Sequence, residues 1–202
     1  MSFFQKIFGS KKIIEKSDRK KRPEKSFKAE DQKPIDEQFV FNFTENGGKF
    51  LYCENIEEVK KNFNHILLEN NCYKNSILTT SKALLSLFRL PAVIHSKKNT
   101  KFEFFLSECE YLISNDGSLL FTSNQLAEKK MNELPRNFII FAKTSQILET
   151  ISHGMTKINH NYKNQIPSNI TTIKNFKPLE EDHFLSYGSS PKNIYLLLLE
   201  DM

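Results

Sequence analysis

Tryptophan is absent from this 202-residue chain and glycine is scarce, with six residues where ordinary usage of ~7% would give about fourteen. None of the six falls into a G-x-G-x-x-G or P-loop spacing, which excludes a dinucleotide fingerprint and a Walker NTPase. No cofactor is expected. Arginine occurs four times (Arg19, Arg22, Arg89, Arg136) against 25 lysines. Arginine is the usual residue for two-point capture of phosphate or carboxylate, so at most two such clamps exist beyond the N-terminal stretch. Three cysteines (Cys53, Cys72, Cys109) stand far apart with no C-x-x-C. That excludes a disulfide framework and an iron–sulfur cluster and points to a reducing cytoplasm. The longest apolar run, 194–199, is far short of the ~20 residues of a membrane-spanning helix. The first residues hold no uninterrupted apolar stretch and no small-residue cleavage site, so no secretory signal is expected.

What is present is unevenly distributed. Residues 1–28 carry ten basic groups against three acids, a local charge of +7, which leaves −2 for the rest out of the net +5. Basicity belongs to a tail, and a slightly acidic body argues against a nucleic-acid groove. Phe3, Phe4, Ile7 and Phe8 make one apolar face on a short helix, which Gly9 would end. Residues 9–38 are charged, contain Pro23 and Pro34, and lack periodicity, so residues 1–38 read as a largely disordered basic arm. An aromatic hook followed by lysines makes weak contact with an anionic membrane conceivable, at roughly 1 kcal/mol per lysine near the surface.

Residues 39–202 read as the folded domain. Phe39, Phe41 and Phe43 alternate with polar or branched neighbours and suggest a strand, closed by the turn Asn46-Gly47-Gly48. A second strand is expected at 49–53, and Asn55 with Glu58 resembles a capping box opening a helix with stripe Ile56, Val59, Phe63, Ile66 and Leu67. Strands are expected at 76–80, 92–95, 138–142, 170–174 and 193–199, and 110–114 with 118–122 form a hairpin or a strand–loop–strand. Helices are expected at 82–90 and 125–133. Another, capped by Ser145, would carry Ile147, Leu148, Ile151, Met155 and Ile158. The last strand is apolar on both faces, as a central parallel strand is. Alternating strands and helices define an α/β fold: an open, mostly parallel sheet with helices on both faces.

Little recognisable chemistry follows. Among His65, His95, His153, His160 and His183 there is no H-x-x-x-H or H-E-x-x-H, and no metal site is expected. There is no G-x-S-x-G nucleophile motif. Asp116 and Glu110 are the candidate general acids or bases. A chain sparing with glycine should keep it where backbone geometry demands it, which singles out Asn115-Asp116-Gly117-Ser118 and Gly188-Ser189-Ser190-Pro191. Backbone N–H groups and hydroxyls there could hold a small anion at a sheet edge, with Lys130 supplying charge.

Three segments carry a family resemblance. Glu110 to Leu120 (E-Y-L-I-S-N-D-G-S-L-L) resembles the "A-D-x-x-I-A-E-T-G-T-L-V" region of the LUD domain, the lactate-utilisation protein C family. Leu134-Pro135-Arg136-Asn137-Phe138-Ile139-Ile140-Phe141 is similar to its "L-P-x-x-H-I-x-V" strand, and the segment from Gly188 to Leu196 to its closing "G-x-H-G-P-x-x-L-x-V". The resemblance implies a fold similar to the sugar-isomerase and CoA-transferase superfamily, and iron–sulfur partner proteins of bacterial lactate oxidation. The family's Glu-Thr-Gly-Thr loop is here Asn115-Asp116-Gly117-Ser118, and its His-Gly-Pro is Ser189-Ser190-Pro191. A binding or accessory role with an altered anion site is the leading expectation. An isomerase or acyl-transferase using Asp116 is the alternative, and a membrane-peripheral adaptor working through residues 2–28 a third.

Overall fold

A computed structural model describes residues 33–91, 102–126, 129–163, 165–176 and 192–201. The chain divides into Met1–Lys33 and Pro34–Met202, and the described elements belong to the second unit. The expected aromatic N-terminal helix, the basic stretch to residue 32, the strand at 92–95 and the segment 188–191 lie outside the described residues.

The first described element corrects a strand to a helix. Phe39 and Phe43 fit period two, but they also stand four apart, and helix α1 (Ile35–Glu45) uses that second spacing. Both rings are fully buried and stack at 5.5 Å, whereas Phe41 is 55% exposed. Pro34, at φ −48, precedes the first turn, and Asp36 and Glu37 lie near the positive end of the helix. α1 therefore takes in residues 35–38, which the sequence assigns to the arm.

Strand β1 (Lys49–Cys53) and helix α2 (Ile56–Glu69) follow as expected. Asn55 Oδ1 accepts the Glu58 N–H at 3.0 Å, and the Glu58 carboxylate reaches back to the Glu54 N–H at 2.9 Å. Strand β2 (Ile77–Leu78) and helix α3 (Lys82–Phe88) come next. Strand β3 (Phe104–Glu108) is an addition, since no element is expected between 96 and 109. The hairpin β4 (Tyr111–Ile113) and β5 (Ser118–Thr122) forms as read. Where a helix is expected over 125–133, the described residues hold α4 (Ser123–Leu126) and a separate 3-10 turn at Met131–Glu133.

After strand β6 (Asn137–Lys143), the long helix expected from Ser145 is corrected too. Residues Thr144–Gln146 form a 3-10 turn, and Ile147–Leu148 form strand β7, paired with Leu112 and Ile113. Helix α5 (Ile151–Asn161) starts later, capped by Thr150, whose hydroxyl accepts the His153 N–H at 3.2 Å. Ile147 and Leu148 fit helical spacing, but a partner strand satisfies their backbone groups first. Strands β8 (Ile170–Ile173) and β9 (Asn193–Leu199) complete the set.

The fold is α/β with a mostly parallel central sheet. Among the described residues it has five strands, in the order β1-β9-β6-β3-β2, all parallel. β9 is interior, with Ile194, Leu196 and Leu198 buried on one face and Tyr195 and Leu197 on the other. Helices α2 and α3 cover the second face through Val59, Phe63, Ile66, Leu84 and Phe88. The first face is covered by α1 and by a second, four-stranded sheet, β7-β4-β5-β8. Leu112, Leu119 and Phe121 of that sheet share one core with Phe105, Phe138 and Ile140. Its outer face carries Tyr111, Ile113 and Leu120 against Ile158 of α5. Burying one such side chain contributes about 1.5–3 kcal/mol, so this second sheet is part of the fold's stability, not an appendage. Gly154 of α5 packs close: a Cβ there would stand 2.9 Å from Leu120 Cδ2.

Candidate functional site

The glycine loop at residues 115–118 is packed, not open. Gly117 adopts φ +68, and a Cβ on it would overlap the backbone of Asn42 and Phe43 in α1. Only glycine meets both conditions. The Asn42 side-chain amide donates to the carbonyls of Ser114 (2.7 Å) and Asn115 (3.2 Å), and that of Asn46 donates to the Asp116 carbonyl (2.6 Å). Asp116 Oδ1 accepts from the Ser118 N–H (3.1 Å) and hydroxyl (2.7 Å), while Oδ2 lies 3.7 Å from Lys174 Nζ. This is an Asx turn tied down by a helix. Asn115, Asp116, Gly117 and Ser118 are thus held together, with Ser118 buried. Lys130 stands on a different segment, exposed at the head of the 3-10 turn before β6. Gly188, Ser189, Ser190 and Pro191 are not among the described residues.

Lys192, next to that segment, carries a role no sequence signal announced. It is 3% exposed, and its Nζ donates to the carbonyls of Leu134 (3.0 Å) and Pro135 (3.1 Å) and lies 5.2 Å from the Phe138 ring centre. Burial pulls its pKa below the usual lysine range. Two of the segments carrying the sequence resemblance are therefore pinned together by one buried ammonium.

A cleft of about 320 Å³ opens where β3 and β6 end, lined by Glu108, Cys109, Glu110, Gln125, Phe141, Lys143 and Gln146. The carboxyl ends of parallel strands are where open α/β sheets bind ligands, because connections diverge there and leave room. Glu108 closes β3, and its Oε2 accepts from the hydroxyl of Ser81, the N-cap residue of α3, at 3.3 Å. Glu110 is gripped from two sides. Gln125 Nε2 donates to its Oε2 at 2.7 Å, and the Tyr162 hydroxyl lies 3.2 and 3.3 Å from its two oxygens. The Gln125 amide is itself oriented, since its oxygen accepts the Thr122 N–H and hydroxyl, both at 2.7 Å. Gln146 closes the floor by donating to the carbonyls of Cys109 (2.7 Å) and Glu110 (3.1 Å).

The titratable neighbours are set by this geometry. Burial, with help from the Glu110 charge, pushes the Cys109 thiol far up, so it is a core residue and not a nucleophile. Burial also raises Tyr162, and Glu110 adds to this against an opposing bond from Asn124, so the phenol stays a proton donor. At the rim Lys143 faces Asp201 at 3.9 Å. Burial alone would raise the Asp201 carboxyl. Bonds from the Ser145 N–H (2.9 Å) and hydroxyl (2.8 Å), the Thr144 hydroxyl (3.0 Å) and Lys143 outweigh it and hold the carboxyl below its usual range. The result, among the described residues, is a pair of half-buried carboxylates beside Lys143, with Glu110 fixed by Gln125 and Tyr162: acceptors for hydroxyl or ammonium groups. Among the described residues no group of three His, Cys, Asp or Glu could hold a metal ion.

Of the sequence candidates, Glu110 lies in this cleft; Glu108, Gln125, Lys143 and Gln146 were missed. Recognising 104–108 as a strand would have placed Glu108 and Lys143 at strand ends. Nothing local marks the two glutamines.

Comparison with known proteins agrees with the three sequence segments. The family model described as the LUD domain matches residues 37–199. No curated protein matches. Among solved structures, a DUF162 family protein from Deinococcus radiodurans is similar, with a TM-score of 0.53 and 12% identity, over 83% of this chain and 96% of that one. That likeness is one of fold.

Proposed function

The chain belongs to the LUD-domain family, and from that premise we propose that it is a binding or accessory protein that takes a small, neutral, hydroxyl-rich ligand in the Glu108–Glu110 cleft. The observation that carries this reading is the preparation of Glu110. Its two oxygens are fixed by Gln125 and Tyr162, which come from different elements of the fold. Preorganised acceptors of this kind suit a polyol, in line with the sugar-isomerase-like scaffold that the resemblance implies. A monocarboxylate such as lactate would meet two glutamates with Lys143 as counter-charge, so a role in lactate utilisation would be exercised beside iron–sulfur partners and not by holding lactate here. Asp116 weighs against the isomerase or acyl-transferase alternative, because it does not line the cleft and its carboxylate is bonded within its own turn and paired to Lys174.

The test is an amide chemical-shift titration of the full chain with ribitol and with L-lactate. Saturable shifts at Glu108, Glu110, Gln125 and Gln146 with ribitol, lost in Glu110→Gln, are expected. Shifts with lactate alone, or shifts that survive Glu108→Gln and Glu110→Gln, would reject the reading.

A further inference from the structure

A second cleft, of about 500 Å³, lies between α2 and the end of α3 and shares no residue with the carboxylate cleft. Its walls bring together Lys60 and Lys61 of α2, Lys74 from the segment after it, and Arg89. Among the described residues one acid, Glu57, lines it, and that carboxylate is paired to Lys60 at 2.8 Å. Phe63 and Phe88, whose rings lie 4.1 Å apart, fill the floor with Leu87. Four cations and one acid leave a local charge of +3, in a body that is otherwise slightly acidic. Like charges converging on one concave surface repel one another, and a bound polyanion relieves that repulsion.

The arginine adds an independent observation. Arg89 follows α3 in the left-handed region, at φ 50 and ψ 51. That is the post-helical position where glycine or asparagine is the low-strain choice, and a residue bearing a Cβ costs about 1–2 kcal/mol there. One of only four arginines in the chain stands in this strained place and at this cleft. Lys74 is anchored nearby, donating to the Phe88 carbonyl at 2.9 Å, which leaves two of its three N–H donors for a ligand.

We propose that this cleft binds a compact polyanion of the diphosphate class, with the Arg89 guanidinium taking two oxygens of one phosphate and Lys61 and Lys74 neutralising the other. A guanidinium fork matches phosphate oxygens in pairs, and flanking ammonium groups favour a multivalent over a monovalent anion. The same chemistry occurs in free diphosphate and in a nucleotide, so both serve as probes.

Calorimetric titration of the full chain with inorganic pyrophosphate and with ADP, at fixed ionic strength, tests it. Arg89→Gly is the informative variant, because glycine relieves the backbone while removing the charge. Pyrophosphate affinity should fall roughly tenfold or more, with a melting temperature unchanged or higher. Lys61→Gln should weaken binding less. Binding of ADP but not pyrophosphate would overturn the diphosphate assignment. So would pyrophosphate affinity equal in Arg89→Gly and the parent, which would place the anion on the basic tail, or a nucleic-acid duplex that engages Arg89 while pyrophosphate does not. None of these outcomes bears on the carboxylate cleft, whose readout is the ribitol titration.

Discussion

The short strand β4 carries an acid at each end, and the two ends behave in opposite ways. Asp116, in the turn after it, has one carboxylate oxygen held by Ser118, two residues on, and the other 3.7 Å from Lys174, while the Asn46 amide holds its backbone carbonyl. Glu110, just before it, is held by residues brought from α4 and from the end of α5. A carboxylate bonded within its own turn and paired to a lysine outside any cleft completes a local structure. A carboxylate positioned by distant elements, at a strand end and beside a cavity, is a built receptor. Chemical type and glycine content favour the Asp116 loop; tertiary placement favours Glu110.

The contrast can be broken experimentally, and the largest effect should come from Gly117→Val. It forces a side chain into the backbone of α1 at positive φ, and chemical denaturation should show a loss of about 3 kcal/mol or more. A loss under about 1 kcal/mol would mean that the turn is not pressed against α1. Glu110→Ala strands the Tyr162 hydroxyl and the Gln125 amide, so a loss of about 1–3 kcal/mol is expected, together with loss of ribitol shifts. Ser118→Ala removes one donor to Asp116 and should cost about 1 kcal/mol while leaving cleft ligand binding intact. If Ser118→Ala instead abolished binding and Glu110→Ala spared it, the roles of the two ends would be exchanged.

The smallest effect concerns pH. Asp201 has a folded-state pKa below its unfolded value near 3.8. A depressed carboxyl binds its proton less readily when folded, so its contribution is present above that unfolded value and is lost as pH falls through the folded one. Asp201→Asn should therefore reduce the stability difference between pH 6 and pH 2.5, measured by urea unfolding. An identical acid limb in parent and variant would show that the Thr144–Ser145 turn does not depend on that charge.

Much of the scaffold was legible because its signals are local. β9 advertises burial on both faces by an unbroken apolar run, and α2 declares its start with Asn55 and Glu58. Two of the misreadings share one cause: two periods fitted the same residues. Phe39 and Phe43 satisfy spacings of two and of four, and Ile147 and Leu148 suit either a helix stripe or a strand pair. Contact with α1's surroundings in one case, and with Leu112 and Ile113 in the other, broke the tie. Glu110 was a candidate from its residue type, but nothing near it in the chain predicts Gln125, Tyr162 or Gln146 as its setting.

The chain's order of residues, taken alone, was enough for the α/β class, the interior place of β9, the hairpin and the kinship to the LUD domain, because periodicity, capping and turn chemistry act between near neighbours. Only the folded arrangement distinguished an acid closed in its own turn from one facing a cleft, and only it drew Lys60, Lys61, Lys74 and Arg89 to one place. Those groups meet through packing of elements distant in sequence, and such meetings leave no periodic trace along the chain.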